Sequence, residues 1–296
     1  MNISFKQLRL WRALADTGSV GAAAAATHVT QPTASMQLKE ISLAVGVPLY
    51  EVISRQVHMT QAGEALAQTA RAISTEWESF EQSISALKGH QAGRLRLSMV
   101  STAKYFVPRQ VGSFCALYPD VEVSLEVLNR DGVVARLRDN MDDLYIMSMP
   151  PSDMALQDQV FRPNPLVVIA AKSHPWRHLT TLSLSSLKTE KFILREKGSG
   201  TRMAVDRHFK KNRFEPMVRM ALGSNEAIKE AVAGGLGLSV LSSHALGTKP
   251  QSQGLAVLNV RGFPLHSQWH LVCPKAKRLS PLAQAFHAYL VQKSGR

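Results

Sequence analysis

The chain has 296 residues, 45% of them apolar and 19% charged, with 35 Lys and Arg opposing 22 Asp and Glu for a formal charge of +13. That composition supplies about two packed domains and excludes a disordered or collagen-like chain. Two cysteines, Cys115 and Cys273, exclude a disulfide framework and a four-cysteine zinc site, and both read as reduced, mostly buried thiols.

The start MNISFKQLRLW has neither the basic start nor the continuous apolar stretch of a secretion signal. Nothing further along approaches 18 uninterrupted apolar residues, so a cytoplasmic protein with no membrane partner is expected. Ser4 and Gln7 fit a capping box and Ile3 and Leu8 a hydrophobic staple, which starts a first helix. Leu8, Trp11, Leu14 and Ala15 keep helical spacing, and Gly18 suits the left-handed residue that ends it. Ser19 caps a second helix containing five consecutive alanines, Ala22 to Ala26, whose lack of bulk lets a neighbouring helix approach. After a turn at Thr27 to Val29, Thr30 caps a third helix with Pro32 in its first turn. Its buried stripe is Ala34, Leu38, Ile41 and Val45, before Gly46.

Leu49 to Ile53 and Val57 to Met59 flank Ser54, Arg55 and Gln56 as a small hairpin, or wing. Thr60 opens a long helix in which Leu66, Ala70, Ile73, Trp77, Phe80, Ile84 and Leu87 recur at steps of four and three. That is a coiled-coil seam or, alternatively, an amphipathic helix packed on its own domain. Gly89 to Gly93 reads as a hinge. Strands and helices then alternate. Leu95 to Val100, Val121 to Val127 and Leu144 to Met147 read as strands, with helices over Thr102 to Leu117 and Gly132 to Arg138. A second such unit starts near Pro165, with strands Leu166 to Ala171, Phe192 to Leu194, Val218 to Leu222 and Leu238 to Leu241 and helices Thr201 to Asn212 and Glu226 to Ala233. Strand Gln268 to Val272 and helix Pro281 to Val291 close the chain. The class is α/β, and a largely parallel sheet is expected.

Charge alone would locate nucleic-acid binding in the wrong half. Residues 1–93 hold seven basic and seven acidic side chains, so the whole surplus, 28 against 15, lies in residues 94–296. The order helix, turn, helix, wing is the stronger signal, because it sets the second helix of the motif in the major groove of DNA. The face opposite the buried stripe carries Pro32, Met36, Lys39 and Leu43, with Thr33 and Ser35 beside it and Thr30 and Gln31 at its start. Gln pairs with adenine, Ser and Thr with bases or phosphates, Lys with guanine or phosphate, and Met with the thymine methyl. Arg55 is the wing cation, either a phosphate contact or a solvated turn residue. Three-helix packing of this kind also occurs in modules that never touch DNA.

The run TQPTASMQLKEI from Thr30 to Ile41, with AAAAATH before it and GVPLYE and MTQAGE after it, resembles the N-terminal domain of LysR-type transcriptional regulators. VSTAKYFVP from Val100, DDLYIMSMPP from Asp142, NPLVVIAAKSHP from Asn164, LREKGSGTR from Leu194 and LGSNEAIKEAVAGGLGLSVLSSHAL from Leu222 extend the resemblance to the branch that regulates Calvin-cycle and RuBisCO operons. The resemblance implies a winged helix-turn-helix, a dimerising linker helix, and a two-lobed effector domain like a periplasmic binding protein. It implies a homodimer, assembled as a homotetramer, on promoter DNA with dyad half-sites, with RNA polymerase as a further partner. The expected domains are residues 1–59 for DNA, 60–93 for linker and hinge, 94–163 with 264–296 for lobe I, and 164–263 for lobe II. Thr27 stands where Leu is usual, Val52 where many members have a wing Arg, and Ser42 and Leu43 where acidic residues are common. With residues 1–93 neutral as a whole, tight binding should need two or more domains at once.

In the second half, GSGTR at Gly198 to Arg202 joins a strand to a helix start, so Ser199, Gly200, Thr201 and Arg202 can offer donors to an anion. It lacks the GK[ST] of a phosphate-binding loop and an intact dinucleotide fingerprint, and a plain corner is the bland alternative. Gly234, Gly235 and Gly237 follow a helix and read as its stop. Ser101, Thr102 and Lys104 repeat the strand-to-helix logic in the first lobe, Ser224, Asn225 and Glu226 in the second, and Asn129, Arg130 and Arg195 follow other strands. Converging on an interlobe cleft, they would bind a small anionic metabolite, with helix N-termini at Thr102, Thr201 and Ser224 supplying amides and Lys104, Arg130, Arg195 and Arg202 full charges. Catalytic, metal and cofactor motifs are missing, and histidines such as His174, His178 and His208 are scattered as surface residues. The rival reading is a small-molecule binding or transport protein, or an enzyme, built on the same lobes, with the N-terminal helices serving only for dimerisation.

Overall fold

Local capping sets the first three helices of the computed structural model, which describes residues 2–53, 56–87 and 92–294. α1 (Phe5–Thr17) starts at Ser4, whose hydroxyl accepts from the Gln7 amide while the Gln7 side chain accepts from the Ser4 amide. It stops at Gly18 with φ 64°. α2 (Val20–Ala26) is capped by Ser19, and α3 (Gln31–Val45) by Thr30, with Pro32 in the first turn. Ala23 and Ala24 are buried against Leu10, Trp11, Leu14, Ala34, Leu38 and Ile41 in one core. β1 (Tyr50–Ile53) and β2 (Gln56–Met59) pair antiparallel as the wing, while Leu49, expected at the strand start, turns into the core. Ser54 and Arg55 lie outside the described residues, as do residues 89–91 of the expected hinge.

α4 (Gln61–Leu87) follows Thr60, whose hydroxyl accepts from the Gly63 amide at 3.1 Å. The two readings of its stripe divide along its length. Ala67 and Ala70 are buried in or beside the core, whereas Ile73, Trp77, Phe80 and Ile84 are 39, 49, 53 and 36% exposed. Arg71 to Asp16 at 2.7 Å and Arg12 to Glu78 at 3.8 Å hold α4 along α1. These elements form one compact unit, residues 1–88 with 139–141; residues 89–138 with 142–296 form a second.

The second unit contains two lobes. In the first, β3 (Gly93–Val100) lies parallel to β4 (Val121–Leu128) and β5 (Leu144–Met147). β12 (Gln268–Pro274) and β6 (Leu156–Pro163) add on antiparallel in the order β4-β3-β5-β12-β6. The helix expected over Thr102 to Leu117 is broken: Ser101–Tyr105 forms a 3-10 turn, Phe106 leaves helical geometry at φ −139°, and α5 (Val107–Leu117) starts afresh. Pro108 is the physical reason, because it lacks an amide hydrogen and fits only a helix's first turn. α6 (Arg130–Arg138) and α9 (Pro281–Ser294) complete this lobe, Phe286 meeting Phe114 edge-on at 5.0 Å. A buried network ties its sheet down: Arg136 grips Asp142 through two bonds of 2.8 and 2.7 Å, and Asp143 accepts from the Arg96 amide.

The second lobe corrects the expected parallel sheet. β7 (Leu166–Ala171) is flanked antiparallel by β10 (Ser239–Ser242) and β11 (Leu255–Leu258). β8 (Lys191–Arg195) and β9 (Met217–Leu222) are its parallel pair, joined to the rest through the Phe192–Leu238 bridge. α7 (Gly200–Lys211) and α8 (Asn225–Ala233) cover this lobe. β6 and β11 escaped the sequence reading because β6 buries only Phe161 and so lacks alternation, and β11 is a four-residue run. Cys273 is buried and Cys115 half-buried.

Gly63 joins the winged domain to its helix. Its carbonyl accepts from Trp11 Nε1 at 3.1 Å, and a Cβ there would run into the Leu49 carbonyl. Gly63→Ala should therefore destabilise the first unit by about 1–3 kcal/mol, lowering the melting temperature of the full-length protein's first transition. An unchanged melt would show that α4 shifts freely against the core.

Candidate functional site

The first candidate surface is built by α3. Ala34, Leu38 and Ile41 anchor it, which turns Gln31, Pro32, Ser35, Met36 and Lys39 outward, all exposed, with Thr33 half-buried. Thr30 is exposed but occupied: its hydroxyl caps the Thr33 amide at 3.4 Å and meets the Thr33 hydroxyl at 2.8 Å. Gln7 Nε2 holds Glu40 at 3.1 Å, keeping that carboxylate beside α1. The outward face is thus amide, hydroxyl, thioether and one ammonium, the groups that read base edges.

The second site lies where the two lobes meet. Arg195 ends β8 at 3% exposure, and its five N–H donors make five bonds. Nε and Nη2 reach Glu196 at 2.7 and 2.9 Å, Nη1 reaches Thr102 at 3.3 Å and Asn225 at 2.8 Å, and Nη2 also reaches Ser101 at 3.2 Å. Asn225 Nδ2 donates to Thr102 at 3.3 Å. A second strap crosses nearby: Glu226 accepts from Lys104 Nζ at 2.8 Å, Tyr105 OH at 2.6 Å and Ser224 at 3.0 Å. Burial pushes the Glu226 carboxyl up, but those bonds outweigh it and hold the group at about 2. Burial and the same carboxylate push the Tyr105 phenol up.

The other expected residues divide by position. Ser199 is buried at the N-terminus of α7 yet caps nothing, and Gly200 and Thr201 are buried beside it. The first turn of α7 therefore has amides with no side-chain partner. A Cβ on Gly200 would stand 3.0 Å from Ser148 Oγ, so the strand β5 end of the first lobe abuts this turn. Ser224, by contrast, caps α8 through the Ala227 amide at 3.3 Å. Asn129 caps α6 through the Gly132 amide at 2.9 Å. Thr102 sits in the 3-10 turn, not at the start of a helix, so it brings a hydroxyl and no helix terminus.

Each of the four expected cations has an acid beside it: Arg195 has Glu196, Lys104 has Glu226, Arg130 has Asp131 at 3.5 Å, and Arg202 has Asp206 at 2.8 Å. Arg130 also donates to the Met149 carbonyl at 2.6 Å and Arg202 to that of Arg195 at 2.9 Å. They brace the walls. The remaining expected residues there, Ser101, Thr102, Ser199, Thr201 and Asn225, are uncharged, while the Asp131 carboxylate lies against Gly198. Glu196, Tyr105 and Ser148 were not singled out by the sequence, although Glu196 and Tyr105 adjoin residues that were. Among the described residues no group of His, Cys, Asp and Glu suits a metal ion, and no helix is long and apolar enough to cross a membrane.

Comparison with known proteins bears on both sites. Residues 5–64 match the bacterial regulatory helix-turn-helix of the LysR family, and residues 88–295 match the LysR substrate binding domain. The chain is similar to the HTH-type transcriptional activator CmpR of Synechocystis, 44% identical over 289 residues, covering 98% of this chain and 95% of that one. The RuBisCO operon transcriptional regulator of Acidithiobacillus ferrooxidans is 42% identical over 97% of this chain and 93% of its own. Among solved structures, the regulatory domain of Synechocystis CcmR in complex with 2-PG is 45% identical, with a TM-score of 0.66, covering 68% of this chain and 97% of that domain. Relatives that regulate transcription over nearly their full length leave no room for the enzyme or transport reading. The chain belongs to the LysR family of DNA-binding transcriptional regulators.

Proposed function

We propose that the protein controls a carbon-assimilation operon in response to a short phosphorylated acid held at the interlobe cluster. The observation that carries this is the uncapped first turn of α7, with Ser199 and Thr201 beside it and Ser148 of the first lobe against its Gly200, in the same interlobe region where Arg195 holds Ser101 and Thr102. A helix start with free amides and several hydroxyls takes a phosphate or carboxylate without needing an unpaired cation. The 45% identity to a domain solved with 2-PG, 2-phosphoglycolate, supports the same ligand class. The domain division that goes with this reading is DNA recognition in residues 1–59, a dimerising linker over 60–93, and effector lobes over 94–163 with 264–296 and over 164–263.

DNA is read by Gln31, Pro32, Thr33, Ser35, Met36 and Lys39, with Thr30 and the wing Arg55 on phosphates. Residues 1–93 carry no net charge, so two copies act together on dyad half-sites, each supplying part of the affinity. The exposed Ile73, Trp77, Phe80 and Ile84 stripe supplies the contact between copies, since covering each such side chain is worth about 1.5–3 kcal/mol.

Three measurements test this reading. Calorimetry of the full-length protein should detect 2-phosphoglycolate binding, weakened at least tenfold in Thr102→Val, which leaves Arg195 and Asn225 short of an acceptor and removes a donor to the ligand; equal binding by both proteins would move the site. Ile73→Asp with Phe80→Asp should sediment as a monomer, and an unchanged oligomer would rule out the α4 stripe. On the promoter beside its own gene, Gln31→Ala and Ser35→Ala should each cost about 1–3 kcal/mol and relax preference at one base position. Retained affinity and preference in both would mean that another face of α3 reads the bases.

A further inference from the structure

The positive charge of the second unit is not where the cleft is. A hollow of about 510 Å³ lies between α7 and the segment 262–270 that returns the chain from the second lobe to the first. Arg207, His208 and Lys211 line it from α7, His266 and His270 from the returning segment. Among the described residues no carboxylate lines it, and an acid holds only His270, whose Nδ1 stands 2.7 Å from Asp158. Arg207, Lys211 and His266 are exposed with no ion pair among the described residues, the reverse of the cleft, where each expected cation has an acid beside it. Burial and the neighbouring Lys211 push the His208 imidazole down.

The hollow is built, not incidental. Gly262, at φ +91°, brings the backbone against the His208 ring, where a Cβ would stand 3.2 Å from Cε1. Met149, Ala204 and Leu265 give the floor apolar surface for a carbon skeleton, while Ser148 and Gln268 add uncharged hydrogen-bonding groups. None of Ser101, Thr102, Ser199, Thr201 or Asn225 lines it; Ser148 and Met149 do, and both also lie against Gly200.

The geometry points to an accessory pocket for a multiply charged organic phosphate, separate from the interlobe cluster, that reports a second metabolite to the same two lobes. The volume falls in the range of metabolite sites. Arg207 and Lys211, four residues apart on one helix, present a guanidinium fork and an ammonium to separate phosphate oxygens, with His266 opposite. A duplex presents its phosphates on a convex surface and does not reach Ser148, a buried member of the lining. A ligand touching α7 on one side and Ser148 or Gln268 on the other links the two lobes directly. Its occupancy is therefore coupled to that of the cleft, by the same factor in both directions.

The test uses the full-length protein with fructose 1,6-bisphosphate, pyrophosphate and succinate as probes, read by calorimetry and by hydrogen exchange. The bisphosphate should protect residues 203–211 and 261–268. Arg207→Glu with Lys211→Glu, both exposed, should weaken it at least tenfold at an unchanged melting temperature, while Thr102→Val still binds it. Pyrophosphate should bind at the same residues more weakly, for want of a skeleton on the apolar floor. Protection confined to 101–105 and 195–201, undiminished binding by the double variant, or succinate binding as tightly as the bisphosphate would each overturn the assignment. Because 2-phosphoglycolate binding is scored separately through Thr102→Val, either site can fail without the other.

Discussion

A guanidinium taken out of water must find acceptors for all five of its N–H groups, and Arg195 finds them on three separate segments. Ser101 and Thr102 come from the end of β3, Asn225 from the start of α8, and Glu196 from its own loop. An unpaired buried charge costs several kcal/mol, so the lobes cannot change their separation without breaking or replacing these bonds. A hydroxyl that accepts from a cation is polarised and becomes a better donor outward. In the proposed site Ser101 and Thr102 would meet an anion that does not touch the guanidinium, whose charge Glu196 offsets.

This constraint explains which parts of the molecule a reader of the sequence could see. The caps at Ser4, Ser19 and Thr30 and the stops at Gly18 and Gly46 are rules over three or four residues, and the helices follow them. The break at Phe106 was also local, written in Pro108, but the apolar periodicity on either side masks it. The pairing of cations with acids was half legible. Asp131, Glu196 and Asp206 stand one or four residues from their arginines and were readable as partners, whereas Glu226 reaches Lys104 across 122 positions and only the fold joins them. A charge count sums over pairs it cannot see, so it finds the half that holds the surplus and not that Lys104, Arg130, Arg195 and Arg202 each stand beside an acid.

The α4 stripe illustrates the same limit from the apolar side. Its seven-residue rhythm is continuous, yet Ala70 is buried inside the first unit while Ile73, Trp77, Phe80 and Ile84 stay 36 to 53% exposed. Periodicity gives a face, not the body that covers it. Small residues where α1 and the core approach, and large ones beyond them, mark the change: Phe5, Trp77 and Phe80 form a chain of ring contacts at 5.6 and 5.7 Å that remains open to solvent.

Neutral cleft walls and an unpaired basic hollow do different work in a regulator. A metabolite bound by hydroxyls and helix amides is recognised by shape and hydrogen-bond geometry, with little dependence on ionic strength because no free charges are neutralised. One bound by Arg207 and Lys211 is recognised chiefly by its charge, and salt weakens it steeply as the field is screened over about 10 Å. Both ligands would act on the same lobe separation, the first by replacing the bonds around Arg195, the second by linking α7 to the end of β5 and the returning strand. Whichever separation the first favours, the second strengthens or opposes it by the difference in its own contacts between the two arrangements. With both proposed sites in play, the response would depend on a ratio of two anions, the specific one set by geometry and the other by electrostatics.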